Sequence, residues 1–188
     1  KNSLIESLFC CQKTKDAIQT NDVFAACWQK CASYYLADSL SSFNQIPSSP
    51  SHTLDSLRKS KKSSINNHIS GILETIGIER ATPTLLERML KSTIGFSDLV
   101  ENNNHSQLIK QKYDYFLKNS MLSDCYFYLV YVNKENFIKI KDNLNKEQDL
   151  IHILKIAFDI EADSNLLQQH IEKIQTSCND ILEIISKT

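Results

Sequence analysis

Four of the six cysteines, Cys10, Cys11, Cys27 and Cys31, come nearer than any other residues of this chain to a spacing that could do chemistry. Cys27 and Cys31 stand one helical turn apart, and a hairpin turning at Asn21 brings Cys10 and Cys11 to their level. Tetrahedral zinc takes such thiolates. Adjacent residues on a helix diverge by about 100°, however, so Cys10 and Cys11 cannot both face one ion, and no CxxC knuckle is present. An interhelical disulfide is a second reading. The pattern favours a third, small buried thiols in a core, because cysteine is among the most buried residue types. Cys125 and Cys178 lie in apolar stripes and read as core residues.

Cysteine catalysis needs a thiolate beside a base. Five histidines are available, His52, His68, His105, His152 and His170, and no spacing selects a partner among them. His170 lies on the same predicted helix as Cys178 but about 12 Å of rise away from it. Carboxylates gather best at Asp159, Glu161 and Asp163, where their oxygens could meet a hard cation. That stretch lacks the glycine and closing glutamate of an EF-hand loop, and Asp163 is a sufficient N-cap for the helix that follows. HExxH, GxSxG and phosphate-loop motifs do not occur. No metal, no cofactor and no defined catalytic residue is therefore expected.

The elements that would position these groups read as helices. Three glycines and three prolines in 188 residues leave few breaks. Apolar residues recur at threes and fours over 4–18, with Leu4, Leu8, Cys11 and Ile18 on one side, and over 22–43, with Phe24, Cys27, Cys31 and Tyr34 or Tyr35. The short corner at 20–22 makes these two an antiparallel hairpin. Pro47 and Pro50 mark residues 44–53 as a flexible Ser/Pro-rich loop. A weak helical piece at 54–61 and a firmer one ending at Gly77 follow. Thr82 and Pro83 start a further helix that should stop at Gly95. Residues 96–100 read as a short extension, and 106–119 as another helix. The run CYFYLVYV at 125–132 suits a strand as well as a helix, but without strong strand partners it is assigned to a helix over 120–131. Helices at 146–158 and 164–186 close the chain. The expectation is an all-α fold, an irregular multi-helix bundle of about seven to nine helices with an N-terminal helical hairpin and a long C-terminal helix, forming one domain excised from a longer protein.

Composition narrows the functions. A formal charge of −1 provides no field to hold a polyanion, so nucleic acid is not expected as a partner. No apolar run reaches the roughly 20 residues of a membrane helix, and membrane contact is confined to a peripheral one through Arg58, Lys59, Lys61 and Lys62. The Lys, Asn and Ile bias points to an AT-rich genome, and the expected location is the cytoplasm of the producing cell, or of a host cell if the protein is an effector. Trp28, Tyr34 and Tyr35 span too wide an arc of one helix to fill a single narrow stripe, which makes them the expected partner-binding residues. The function expected is a protein-protein interaction module that binds through a helix face or an interhelical groove, without catalysis. A small helical hydrolase or transferase using Cys, His and Asp, and a lipid-binding or membrane-surface module, are the alternatives.

Overall fold

The described residues form nine α-helices, four 3₁₀ segments and no strand. The structure is a computed structural model that describes residues 2–46, 49–61, 63–101, 105–146, 148–160 and 163–187. Pro47, Ser48, Lys62 and Glu161, which belong to the expected loop, basic cluster and carboxylate group, lie outside the described residues. The chain divides into two compact units, one made of residues 1–77 and 161–188 and the other of residues 78–160.

In the first unit, α1 (Asn2–Thr20) and α2 (Ala25–Phe43) form the expected hairpin. Its corner is Asn21, in the left-handed region at φ 55, a conformation asparagine tolerates. The Asp22 N–H then closes onto the Ala17 carbonyl at 2.8 Å. The buried side of α1 is Leu4, Ser7, Cys10, Cys11, Thr14 and Ala17, whereas Leu8 and Ile18 are only half-buried. Small polar residues hold that side because they let the helices approach closely while bonding locally. The Ser7 hydroxyl donates to the Ala32 carbonyl at 2.8 Å, and that of Thr14 to the Cys10 carbonyl at 2.9 Å.

Helix α2 is buried on nearly every side, including Gln29, Lys30 and Ser33. Those three meet the end of α4 (Ile69–Ile76): Gln29 Nε2 donates to the Thr75 carbonyl at 2.8 Å, the Ser33 hydroxyl to Thr75 Oγ1 at 2.9 Å, and Lys30 Nζ to the Ile76 carbonyl at 2.5 Å. Gly77 caps α4 at φ 84, as expected of a left-handed glycine cap. The short α3 (Thr53–Arg58) replaces the weak helical piece. The last helix, α9 (Ser164–Ser186), is capped by Asp163, whose carboxylate accepts from the N–H of Asn165 and Leu166. Its buried stripe, Leu167, Ile171, Ile174, Cys178 and Ile181 with Ser177, has the spacing of an amphipathic helix.

The second unit contains α5 (Pro83–Glu101), α6 (Ser106–Lys118), α7 (Leu122–Ile140) and α8 (Ile151–Ala157). Helix α5 does not stop at Gly95. A glycine inside a helix costs about 1 kcal/mol, and burying the side chain of the adjacent Phe96 offsets that cost. The run at 125–130 is wholly buried and helical, and α7 extends nine residues past the expected end at 131, to Ile140. Asn133, Lys134 and Asn136, past the expected end of this helix, are all buried. Asn133 Nδ2 donates to Thr93 Oγ1 at 2.9 Å and to the Ala157 carbonyl at 2.7 Å, joining α7 to α5 and α8. Within the helix expected at 146–158, Gln148–Leu150 are a 3₁₀ segment and Ile151–Ala157 form the short α8, with a further 3₁₀ segment, Lys141–Lys146, before them.

The two glycines make a paired prediction. Gly95→Ala should stabilise the protein by about 0.5–1 kcal/mol, because an added methyl meets no atom within 4 Å and removes helix-interior entropy cost. Gly77→Ala should destabilise it by about 1–2 kcal/mol through left-handed strain. Urea midpoints of the two variants test both signs.

Candidate functional site

Two of the three expected aromatic residues of α2 are buried, and the exposed apolar residues of the hairpin lie on α1, where the sequence reading passed over them. Trp28 is 5% exposed and Tyr34 1%, while Tyr35 is half-buried. Trp28 and Tyr35 are seven residues apart and so share a face of α2. On α1, Phe9 stands edge-on to Trp28, with ring centroids 6.1 Å apart and planes at 87°. Phe9 keeps 41% of its surface exposed and Ile5, one turn earlier, 61%. Lys13, one turn later, places its ammonium 5.6 Å from the centroid of the Phe9 ring. Ile5, Phe9 and Lys13 thus form a continuous outer ridge on α1, and Trp28 holds its aromatic member in a fixed orientation.

Sequence reasoning missed this ridge because Ile5 and Phe9 fall outside the inward stripe of α1, and their i, i+4 spacing was the available signal. A single exposed apolar side chain is ordinary, but two adjacent ones, of which Phe9 stands against a buried tryptophan, make a defined patch. Val23, at the tip of the hairpin, is 50% exposed.

All six cysteines are buried thiols. Burial pushes Cys11 and Cys27 far above the ordinary thiol value of 9.0 and raises Cys125 to about 12. Burial also raises Cys178, against the opposing hydrogen bond to Ser7. A nucleophilic or metal-binding cysteine requires the opposite shift. Among the described residues, no three His, Cys, Asp or Glu side chains converge to hold a metal ion.

Asp159 and Asp163 are each committed to other contacts. In the second unit, the Asp159 carboxylate forms an ion pair with the Arg80 guanidinium, Nε to Oδ2 2.9 Å, and accepts from the Tyr126 hydroxyl at 2.9 Å, and its backbone carbonyl accepts from Arg80 Nη2 at 2.8 Å. Burial first, and then the Asp159 charge, keeps Tyr126 protonated well above its usual range. In the first unit, Asp163 caps α9.

One nucleophile, base and acid grouping emerges that chain separation hid: His68 Nδ1 lies 3.1 Å from Ser177 Oγ, and His68 Nε2 lies 3.9 Å from Asp180 Oδ2. The carboxylate is half exposed and beyond hydrogen-bond reach of the ring. Ser177 also sits inside α9, where neighbouring N–H groups serve the helix and cannot stabilise an oxyanion. This geometry holds a side chain in place and does not assemble a hydrolytic site.

No helix among the described residues is long and apolar enough to cross a membrane. The aromatic run at 125–130 lies in the interior and presents nothing to a lipid surface. In the basic cluster, Lys59 is paired with Asp55 at 2.6 Å. No protein-family model, curated protein or solved structure matches the chain.

The cysteines give a prediction with a defined sign. The folded pKa values of Cys11, Cys27, Cys125 and Cys178 lie above the ordinary 9.0, so above about pH 9 the unfolded chain sheds these thiol protons before the folded one does. This contribution to stability is full below that pH and declines as pH rises beyond it. At about pH 8 a disulfide reagent should react slowly with the native protein and with all six thiols in denaturant. A stoichiometric burst from the native protein would contradict the assignment.

Proposed function

We propose that the protein is a protein-protein interaction module that recognises an amphipathic helix of its partner on the outer ridge of α1, without chemistry of its own. The observation that carries this reading is Phe9, which is substantially exposed and yet locked edge-on against buried Trp28. An aromatic side chain already fixed in orientation loses little freedom on binding, the property of an interface anchor. Ile5 extends the apolar contact by one turn, and Lys13 supplies a cation at its end for an acidic residue of the partner helix. Trp28 acts from beneath as a positioning residue, Tyr35 continues the same face of α2, and Tyr34 supports it from the core.

The rival enzyme reading has less support, because every thiol is buried and the Ser177, His68 and Asp180 grouping lacks both reach and an oxyanion site. Six cysteines that form no disulfide suit a reducing compartment, and we place the protein in the cytoplasm.

The test compares proteins captured by the parent with those captured by a chain carrying Ile5→Glu and Phe9→Glu. Both changes lie at the surface, so the variant should melt within a few degrees of the parent while losing its specific partner, with affinity down about 100-fold or more. Leu99→Glu, at a residue 61% exposed on α5, should leave capture unchanged. Equal capture by parent and double variant would reject the ridge as the binding surface.

A further inference from the structure

The order of residues along the outer side of α1 decides which helix fits against it. Ile5, Glu6, Phe9, Gln12, Lys13 and Asp16 are all exposed there. Gln12 Nε2 donates to Asp16 Oδ1 at 2.8 Å, so those two satisfy each other. Lys13 lies over the Phe9 ring, and among the described residues neither Lys13 nor Glu6 has an ion-pair partner.

Glu6 and Lys13 are seven residues apart, which puts them on one flank of the helix, two turns and about 10.5 Å from each other. Phe9 stands between them at the middle of the outer face. When a second helix of the same sequence is turned end for end and laid face to face with the first, this flank comes alongside itself in reversed order. Acid then meets base at both ends. A parallel copy would instead set Glu6 beside Glu6 and Lys13 beside Lys13. The charge order of the ridge is its own complement in the antiparallel sense alone, which is the property of an isologous contact.

We propose that the helix recognised by the α1 ridge is α1 of a second copy of this chain, in an antiparallel pair whose two-fold axis passes between the levels of residues 9 and 10. This rests on the reading of the ridge as a recognition surface and names its occupant. Phe9 packs against Phe9 of the second copy, each ring held from beneath by Trp28 of its own chain. Glu6 pairs with Lys13 of the second copy on one flank, and Ile5 meets the methylene groups of Gln12 on the other. The opposed helix dipoles favour the same orientation. One helix from each copy makes a contact smaller than the roughly 1,200 Å² of a standard interface, so the dimer is weak and forms as concentration rises. The solvent-edge charges set its direction and register more than its strength.

Sedimentation equilibrium of the full chain at low salt, from about 1 to 500 μM, tests this. The average mass should rise from the 21.5 kDa of one chain toward twice that value, with a dissociation constant of about 100 μM. Glu6→Lys alone and Lys13→Glu alone should each weaken association at least about ten-fold, since each brings like charges together twice. Both positions are exposed, so both variants should melt near the parent. An equimolar mixture of the two variants should recover the parental affinity, because each chain then meets its complement. Ile5→Glu with Phe9→Glu should stay monomeric. A parent chain that is monomeric throughout overturns the second copy as occupant and leaves the ridge reading intact, with the capture test then reporting a helix of another protein. A dimer indifferent to Ile5→Glu and Phe9→Glu forms through a different surface and overturns the proposal. So does a mixture of the two charge variants that associates no better than either alone.

Discussion

The buried ammonium of Lys30 constrains the whole first unit. It is 1% exposed and donates to the Ile76 carbonyl at the end of α4. A charge in the interior is tolerable only where dipoles solvate it, and the C-terminal carbonyls of a helix are such a place. With Gln29 and Ser33 bonded to Thr75 beside it, α2 must present that face to α4. The opposite face then meets α1, whose Ser7, Cys10, Cys11 and Thr14 are small enough to let it approach. Trp28 of the enclosed α2 is itself nearly buried and stands edge-on to Phe9 of α1, so the proposed ridge rests on the same helix packing that buries Lys30.

The second unit uses the same device with neutral and paired groups. Asn133 ties α7 to α5 and α8, and Asp159 joins Arg80 to Tyr126. Asn133 Nδ2 and the Tyr126 hydroxyl exchange water for partners on other elements, and such bonds specify one packing arrangement.

Buried polar residues also explain what could be read from sequence. Helix α9 was legible from end to end because its cap, Asp163, and its apolar stripe carry the standard local signals. The hairpin and the glycine cap at Gly77 were legible for the same reason. The burial of Gln29 and Lys30 in α2, and of Asn133, Lys134 and Asn136 beyond the expected end of α7, has no local signal. Their partners lie 24 to 46 residues away where they are seen, for example Thr75, Ile76, Thr93 and Ala157, and no local pattern announces such pairings. Gly95 misled in the other direction, since punctuation gave way to the burial of Phe96. Of the candidate site, Trp28 and Tyr35 could be picked out as aromatics with nowhere narrow to go, but which side chain would face outward depended on the neighbouring helix.

The account's central claim is that a fixed aromatic ridge on α1, rather than any reactive group, is what the protein offers to its surroundings. Cysteines sit inside with their protons held, and the Ser177, His68 and Asp180 contact is a packing arrangement. The most direct measurement is photocrosslinking with benzoylphenylalanine placed at position 5, with the same residue at position 118, exposed on α6, as the control. The account predicts a discrete, light-dependent adduct with one partner from position 5 and none from position 118. Adducts of equal yield from both positions, or none from position 5, would contradict it.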